Sequence, residues 1–270
     1  MPNFIGIDLA WQSDSNNSGA VCLHGDSQCL EIKEISKPLY TLKDIQKFIL
    51  DNSYTDTIIA IDAPLVIANQ TGQRPCETLI GRRYGYADAC AHSSNLNKFP
   101  EPRSVELARI LEELGYSHCP HPHDPTHAGK WFFEVYPHPA HVVLFGRTKI
   151  IKYKKGKVFD RRAGLLEFRA SIAQYLSIQS PCLTISPALS EFFSIELAEL
   201  AGKHLKHYED SLDAVICAYL AAYFWKWGYD RCEMIGDLQT GYIINPRPQL
   251  ALSSAQMDAA SALRSHLLSY

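Results

Sequence analysis

The sequence predicts one α/β domain built on a mixed central sheet with flanking helices. Three observations carry that expectation. A strand-like run ending in an acid, Phe4 to Leu9, opens the chain. The continuous apolar run Ile58 to Ile61 has the character of a strand buried on both faces. Near the end, HYEDSLDAVICAYLAAYFWKW places Leu212, Val215, Ile216, Tyr219, Leu220 and Tyr223 on one helical face.

The elements follow in order. After Phe4 to Leu9 the chain turns polar and rich in Asn, Ser and Gly, a loop signal. Ala20 to Leu23 and Cys29 to Ile35 read as short strands parted by Gly25, Asp26 and Ser27, so the first three strands form an antiparallel meander. Thr41 to Leu50 carries apolar residues at helical spacing, with Thr41 as N-cap. The buried strand then ends at Asp62, and Pro64 keeps it from continuing as a central one.

Residues 66–130 read as an insertion with helices at Glu77 to Tyr84 and Ser104 to Leu114. Trp131 to Tyr136 is a further strand, followed by helices at Pro139 to Phe145, Ala163 to Leu176 and Ser190 to Leu200. GYIIN, at 241–245, reads as a final edge strand. Residues 1–250 are expected to form one domain, and 251–270 a small helix or a frayed tail.

Composition narrows the function classes. With 270 residues, 46% hydrophobic and 20% charged, the chain can bury one large core. No apolar run approaches the ~20 residues of a membrane span, and MPNFIGIDLAWQSD lacks the basic start of a secretion signal, so a cytoplasmic protein is expected. The eight cysteines, at 22, 29, 76, 90, 119, 182, 217 and 232, form no CxxC pair and read as reduced thiols. A net charge of −3 argues against coating nucleic acid through bulk charge. One segment, GRTKIIKYKKGKVFDRRAG, is nevertheless basic, with Lys152, Lys154 and Lys155 at its centre. It is either a solvated loop or a phosphate-facing flap with Tyr153 and Phe159 free to stack. Oligomeric state is left open.

Three acids stand where chemistry would want them. Asp8 and Asp62 end strands, and Asp213 lies in the first turns of the late helix with Asp210 one turn before it. In open α/β sheets, sites form at the carboxyl ends of strands. Carboxylates gathered there repel one another unless a cation neutralises them, and hard oxygen ligands favour Mg²⁺ or Mn²⁺. Singly, each acid has a structural reading: a turn cap at Asp8, an Asx-turn at Asp62, a helix-dipole acid at Asp210. Asp213 argues most strongly for a partner, because an ionised acid on the packed side of a helix is costly alone.

FIGIDLA resembles the first-strand Asp motif of the ribonuclease H-like superfamily, and HYEDSLDAVICA resembles the C-terminal helix motif of its Holliday-junction resolvases. Together GIDLAW, AIDAPL, RPCETLIGRRYG, FFEVYPHPA and LDAVICA resemble the family catalogued as domain of unknown function 429, described as predicted ribonuclease H-like nucleases. The matches run from residue 4 to about residue 246, in order. The resemblance implies a ribonuclease H-like fold and metal-ligand roles for Asp8, Asp62 and Asp213, with Asp210 as a fourth.

The resulting expectation is a Mg²⁺- or Mn²⁺-dependent nuclease or phosphodiesterase acting on DNA or RNA through a two-metal-type site. Asp8, Asp62, Glu134 and Asp213 would be catalytic, and Arg74, Arg82, Arg83, Lys152, Lys154 and Lys155 would contact phosphates. For Glu134 the alternative is an ion pair with Arg74 or Arg83 across the crevice. Two other classes stay open: a non-catalytic binding domain on the same fold, and an ATP-dependent phosphotransferase of the sugar-kinase or actin-like type, whose phosphate motif GIDLA also resembles. Against the latter, neither a second similar domain nor a Gly-rich adenosine loop is found. No GxxxxGK[ST] or GxSxG string occurs. The cluster His118, Cys119, His121, His123, Asp124 and His127 matches no standard zinc spacing; a polar loop is expected, with a zinc site or a mobile general-acid histidine as alternatives.

Overall fold

A computed structural model of the chain describes residues 1–118 and 129–248. The first three strands, β1 (Asn3–Asp8), β2 (Gly19–Gly25) and β3 (Cys29–Ile35), form the expected antiparallel meander. Helix α1 (Leu42–Asp51) starts at Thr41, whose hydroxyl accepts the Asp44 N–H while the Asp44 carboxylate accepts the Thr41 N–H. Then β4 (Thr57–Asp62) lies parallel to β1. Helices α2 (Pro75–Tyr84) and α3 (Arg103–Glu113) follow, then β5 (Ser117–His118) and β6 (Lys130–Glu134). Helices α4 (Pro137–Leu144), α5 (Val158–Ser171) and α6 (Pro187–Ser194), with β7 (Cys182–Leu183) between the last two, lead to the long α7 (Gly202–Arg231). A hairpin of β8 (Cys232–Asp237) and β9 (Gly241–Pro246) ends the described chain.

The central sheet has seven strands in the order β5-β6-β4-β1-β2-β3-β7 and is mostly parallel. Residues of β1 and β4 alternate between two cores, which is why their sequences read as continuous apolar runs. Phe4, Ile58 and Ala60 face α4, α5 and α7, whereas Ile5, Ile7, Ile59 and Ile61 face α1 and α3. The long helix lies unusually close to the sheet because β1 and β2 carry glycine beneath it. A Cβ on Gly6 would meet Ala214 O and Ala218 N at 2.1 Å, and one on Gly19 would meet Asp210 O at 2.5 Å. This approach holds Asp210 and Asp213 against the strand ends.

Several sequence expectations are corrected. Within the stretch read as an insertion, Leu107 and Leu111 of α3 share one apolar cluster with Ile45 and Ile49 of α1. The helix expected over 190–200 is Pro187–Ser194, because Ser186 caps it with Pro187 in the first turn and the chain leaves helical geometry at Ile195. GYIIN pairs with β8, which was not foreseen, and meets the central sheet through a bridge between Val135 and Ile244 and through the Tyr242 hydroxyl, which accepts the Glu134 N–H at 3.1 Å. Among the described residues seven cysteines are free, and two of them, Cys29 and Cys182, face each other across β3 and β7. Most of the His118–His127 cluster and the 251–270 segment lie outside the described residues. No helix among the described residues is long and apolar enough to cross a membrane.

Candidate functional site

Three neighbouring parallel strands end in carboxylates. Asp8 and Asp62 are the last residues of β1 and β4 and are register partners, and Glu134 closes β6 beside Ile61. Asp8, Asp62 and Glu134 line one cavity of roughly 160 Å³, with Arg74, His138 and Lys154 on its walls. The loop leaving β1 forms the rim. Arg103, at the start of α3, holds that loop by donating to Ala10 O (2.8 Å), Ser13 O (2.9 Å) and Tyr40 O (2.7 Å). Trp11 is tied to the strand end through its indole N–H, which donates to Asp62 O at 3.3 Å.

Electrostatics divide the acids into two kinds. Asp62 is pushed well above the ordinary carboxylate range by burial and by the neighbouring Asp8 charge. Asp8 is also raised, chiefly by burial and against the pull of Lys154. Asp213 is as deeply buried, and burial is the largest influence on it, yet Lys154, His141, His138 and the Tyr153 hydroxyl together hold its carboxyl below the ordinary value. The Lys154 ammonium lies 2.9 Å from Asp213 Oδ2, and the Tyr153 hydroxyl donates to Oδ1 at 2.6 Å. These are the partners that a buried acid on this helix face requires. Asp210 is gripped in turn by Lys206 and by Asn17, whose amide donates to Oδ2 at 2.8 Å. Burial and the Asp8 charge push its carboxyl up to about 9, against Lys206.

Glu134 takes the ion-pair alternative. Its carboxylate receives both terminal nitrogens of Arg74, at 2.6 and 2.9 Å, and the Leu65 N–H at 2.8 Å. Arg74 also donates from Nε to Glu77 at 2.8 Å and is 2% exposed. The expectation that Arg74 contacts phosphate is therefore corrected: its guanidinium is committed to two buried carboxylates. Tyr153 is not free to stack on a base either, being buried with its ring 4.6 Å from Phe168. Lys154 reaches the cavity through its pairing with Asp213. The other expected phosphate contacts lie off the cavity wall: Arg83 pairs with Glu233 at 2.5 Å, Lys152 sits 3.6 Å from Asp88, and Arg82 and Lys155 are exposed.

The donor set decides what a cation would find. Among the described residues no three His, Cys, Asp or Glu side chains are gathered as an ion cage. Asp8 and Asp62, desolvated and mutually repelling, fit one Mg²⁺ or Mn²⁺ that takes its remaining ligands from water or phosphate. Asp210 and Asp213 already have lysine ammonium groups, so they would contribute only by exchanging partners.

Trp11, Asn17, Arg103 and His138 were missed from the sequence. Two of them carried a signal, Trp11 closing the GIDLAW string and His138 lying in FFEVYPHPA. His138 lines the cavity, its Nε2 has no hydrogen-bond partner, and burial pushes it down to about 3, leaving a neutral imidazole.

A family model described as "Protein of unknown function (DUF429)" matches residues 6–237, from the middle of β1 to the end of β8. The chain belongs to that family. Asp8, Asp62, Glu134, Asp210 and Asp213 all fall inside the matched region. Comparison with curated proteins returned no match.

Proposed function

We propose that this family member is a ribonuclease H-like, divalent-cation-assisted phosphodiesterase acting on nucleic acid. The observation that carries the reading is the Asp8–Asp62 pair: register partners at the ends of adjacent parallel strands, lining one cavity, with raised carboxyl affinities for protons. Two such groups are costly to hold together unless the site gains a cation in use. A bound ion would supply Lewis-acid stabilisation of the phosphate and a more acidic water. The chain's own residues do the rest. Asp8 and Asp62 hold the ion, while Lys154, kept charged by Asp213, brings a fixed positive charge to the same wall. The buried Nε2 of His138, which has no hydrogen-bond partner, offers a neutral acceptor that orients a water in the cavity through a hydrogen bond. Arg74 and Glu134 position the floor of the site and do not take part in transfer.

The ion pairs Lys154–Asp213 and Lys206–Asp210 favour a second reading, a binding domain whose internal cations have replaced metal. Calorimetric titration with Mn²⁺ of wild type and Asp8→Asn, beside an oligonucleotide cleavage assay, decides between them. The phosphodiesterase reading expects binding and cleavage that both vanish in a folded Asp8→Asn protein. A folded wild type that neither binds Mn²⁺ nor cleaves nucleic acid refutes it.

A further inference from the structure

The acidic cavity, at roughly 160 Å³, has room for a phosphate-sized group but not for a nucleotide, since ligand pockets for larger molecules run to several hundred Å³. A groove of roughly 620 Å³ adjoins it, lined by Trp11, Gln12, Asn16, His92, Lys98 and Phe99. Trp11 and His92 line both spaces, so groove and cavity are neighbours that share one wall. The groove has three kinds of surface. Trp11 and Phe99 form an aromatic corner, with ring centroids 5.9 Å apart and planes at 71°. Gln12 and Asn16 are exposed amides that can both donate and accept, and Lys98 is an exposed cation. The corner is also pre-built, because the Trp11 indole N–H is bonded to Asp62 O and Arg103 pins the loop behind it.

A planar face, amide edges and a cation next to a phosphate-sized cavity match a nucleobase carried on a sugar-phosphate chain. We infer that this groove is a nucleobase subsite, and that the substrate presents an unpaired base to Trp11 while its neighbouring phosphate enters the Asp8–Asp62 cavity. Substrate choice here rests on the phosphodiesterase reading. A base inside a duplex has both faces covered by its neighbours, so the subsite selects single strands, loops or flipped nucleotides.

The test compares a short single strand with an abasic strand of the same length and phosphate count. Binding is measured in EDTA, so that no turnover occurs, for wild type, Trp11→Ala and Trp11→Phe, with thermal melts confirming folding. The intact strand should bind about tenfold more tightly than the abasic one, the scale of one base–aromatic stack. Trp11→Ala should erase that preference and Trp11→Phe should keep most of it. Equal binding of the two strands, or a preference unchanged in Trp11→Ala, overturns the subsite. Cleavage measured separately with Mn²⁺ keeps the two claims apart. Cleavage without base preference sinks the subsite and spares the phosphodiesterase; base-selective binding without cleavage does the reverse.

A different observation stands independently of that site. Cys29 and Cys182 are register partners on β3 and β7, their sulfur atoms are 2.7 Å apart, and Cys29 is exposed. The geometry points to a reversible oxidation site in which a peroxide joins these thiols. The Cys29 thiolate attacks the peroxide, releasing hydroxide and becoming a sulfenic acid. The Cys182 sulfur then displaces that hydroxyl group, forming the S–S bond. In sum, two thiols and one hydrogen peroxide give one disulfide and two waters. The bond would close a loop between residues 153 positions apart, which restricts the unfolded chain strongly. Mild peroxide treatment should therefore remove two titratable thiols and yield a Cys29–Cys182 peptide by mass spectrometry. It should also raise the melting temperature by several degrees, reversibly with dithiothreitol and not at all in Cys29→Ser. Oxidised protein without that linked peptide overturns the assignment.

Discussion

Replacing Asp62 by Asn should make the protein more stable while removing its chemistry. Adjacent strands lie about 4.8 Å apart, so register-partner carboxylates on β1 and β4 approach to roughly 5 Å. Two unit charges at that separation, in an effective dielectric of about 20, repel by about 3 kcal/mol. Lys154 offsets part of this, so removing one charge should stabilise the fold by about 1–2 kcal/mol at neutral pH. For a chain of this length that is an upward shift of roughly 3–6 °C in melting temperature. The pH dependence has a definite sign. Because the folded carboxyl of Asp62 is raised above its ordinary value of 3.8, its ionisation costs stability as pH rises through the folded value, and the cost is absent below the unfolded value. The advantage of Asp62→Asn should thus be largest above pH 7 and fade toward pH 4. Thermal melts across that range in EDTA read it directly. A variant that is less stable than wild type at pH 7 refutes the reasoning, for it would mean that Asp62 is held by donors and is no vacant ligand.

Three further outcomes follow from the same geometry. Arg74→Leu leaves Glu77 and Glu134 buried without a cation and should cost about 3–5 kcal/mol in urea unfolding, where a phosphate-contacting arginine would cost almost nothing. Tyr153→Phe removes a donor to an ionised buried carboxylate and should cost about 1.5–3 kcal/mol. Because the depressed Asp213 carboxyl stabilises the fold above its unfolded value and loses that contribution as pH falls, the same variant should begin its acid unfolding at a higher pH. Gly6→Ala forces a methyl group onto the backbone of α7 at 2.1 Å and should destabilise by about 3 kcal/mol or more, visible as loss of the cooperative melt.

The mixed α/β sheet, the run from the antiparallel meander through α1 to β4, and the strand-end positions of Asp8 and Asp62 were legible in the linear pattern. Apolar runs, a Thr-to-Asp capping box and a helix stripe are local signals, set by the period of each backbone. Asp213 was legible in a weaker way: its place on a packed helix face demanded a partner without naming it. Nothing in the chain spacing singles out Lys154, 59 positions earlier by residue number, as that partner. Arg74 is a related case. The sequence offered Arg74 both as a phosphate contact and as a partner of Glu134, and only the fold, which brings Glu134 to it from 60 positions away, decides between them.

Local periodicity and strand-end acids thus belong to the sequence, because each depends on residues within a few positions of one another. Which acids are left facing one another and which receive a lysine or an arginine depends on how closely α7 settles on Gly6 and Gly19, and on what β6 and the 147–162 segment carry to the same sheet edge. Charge in a buried site is settled by distance in space, and only the tertiary structure supplies that distance.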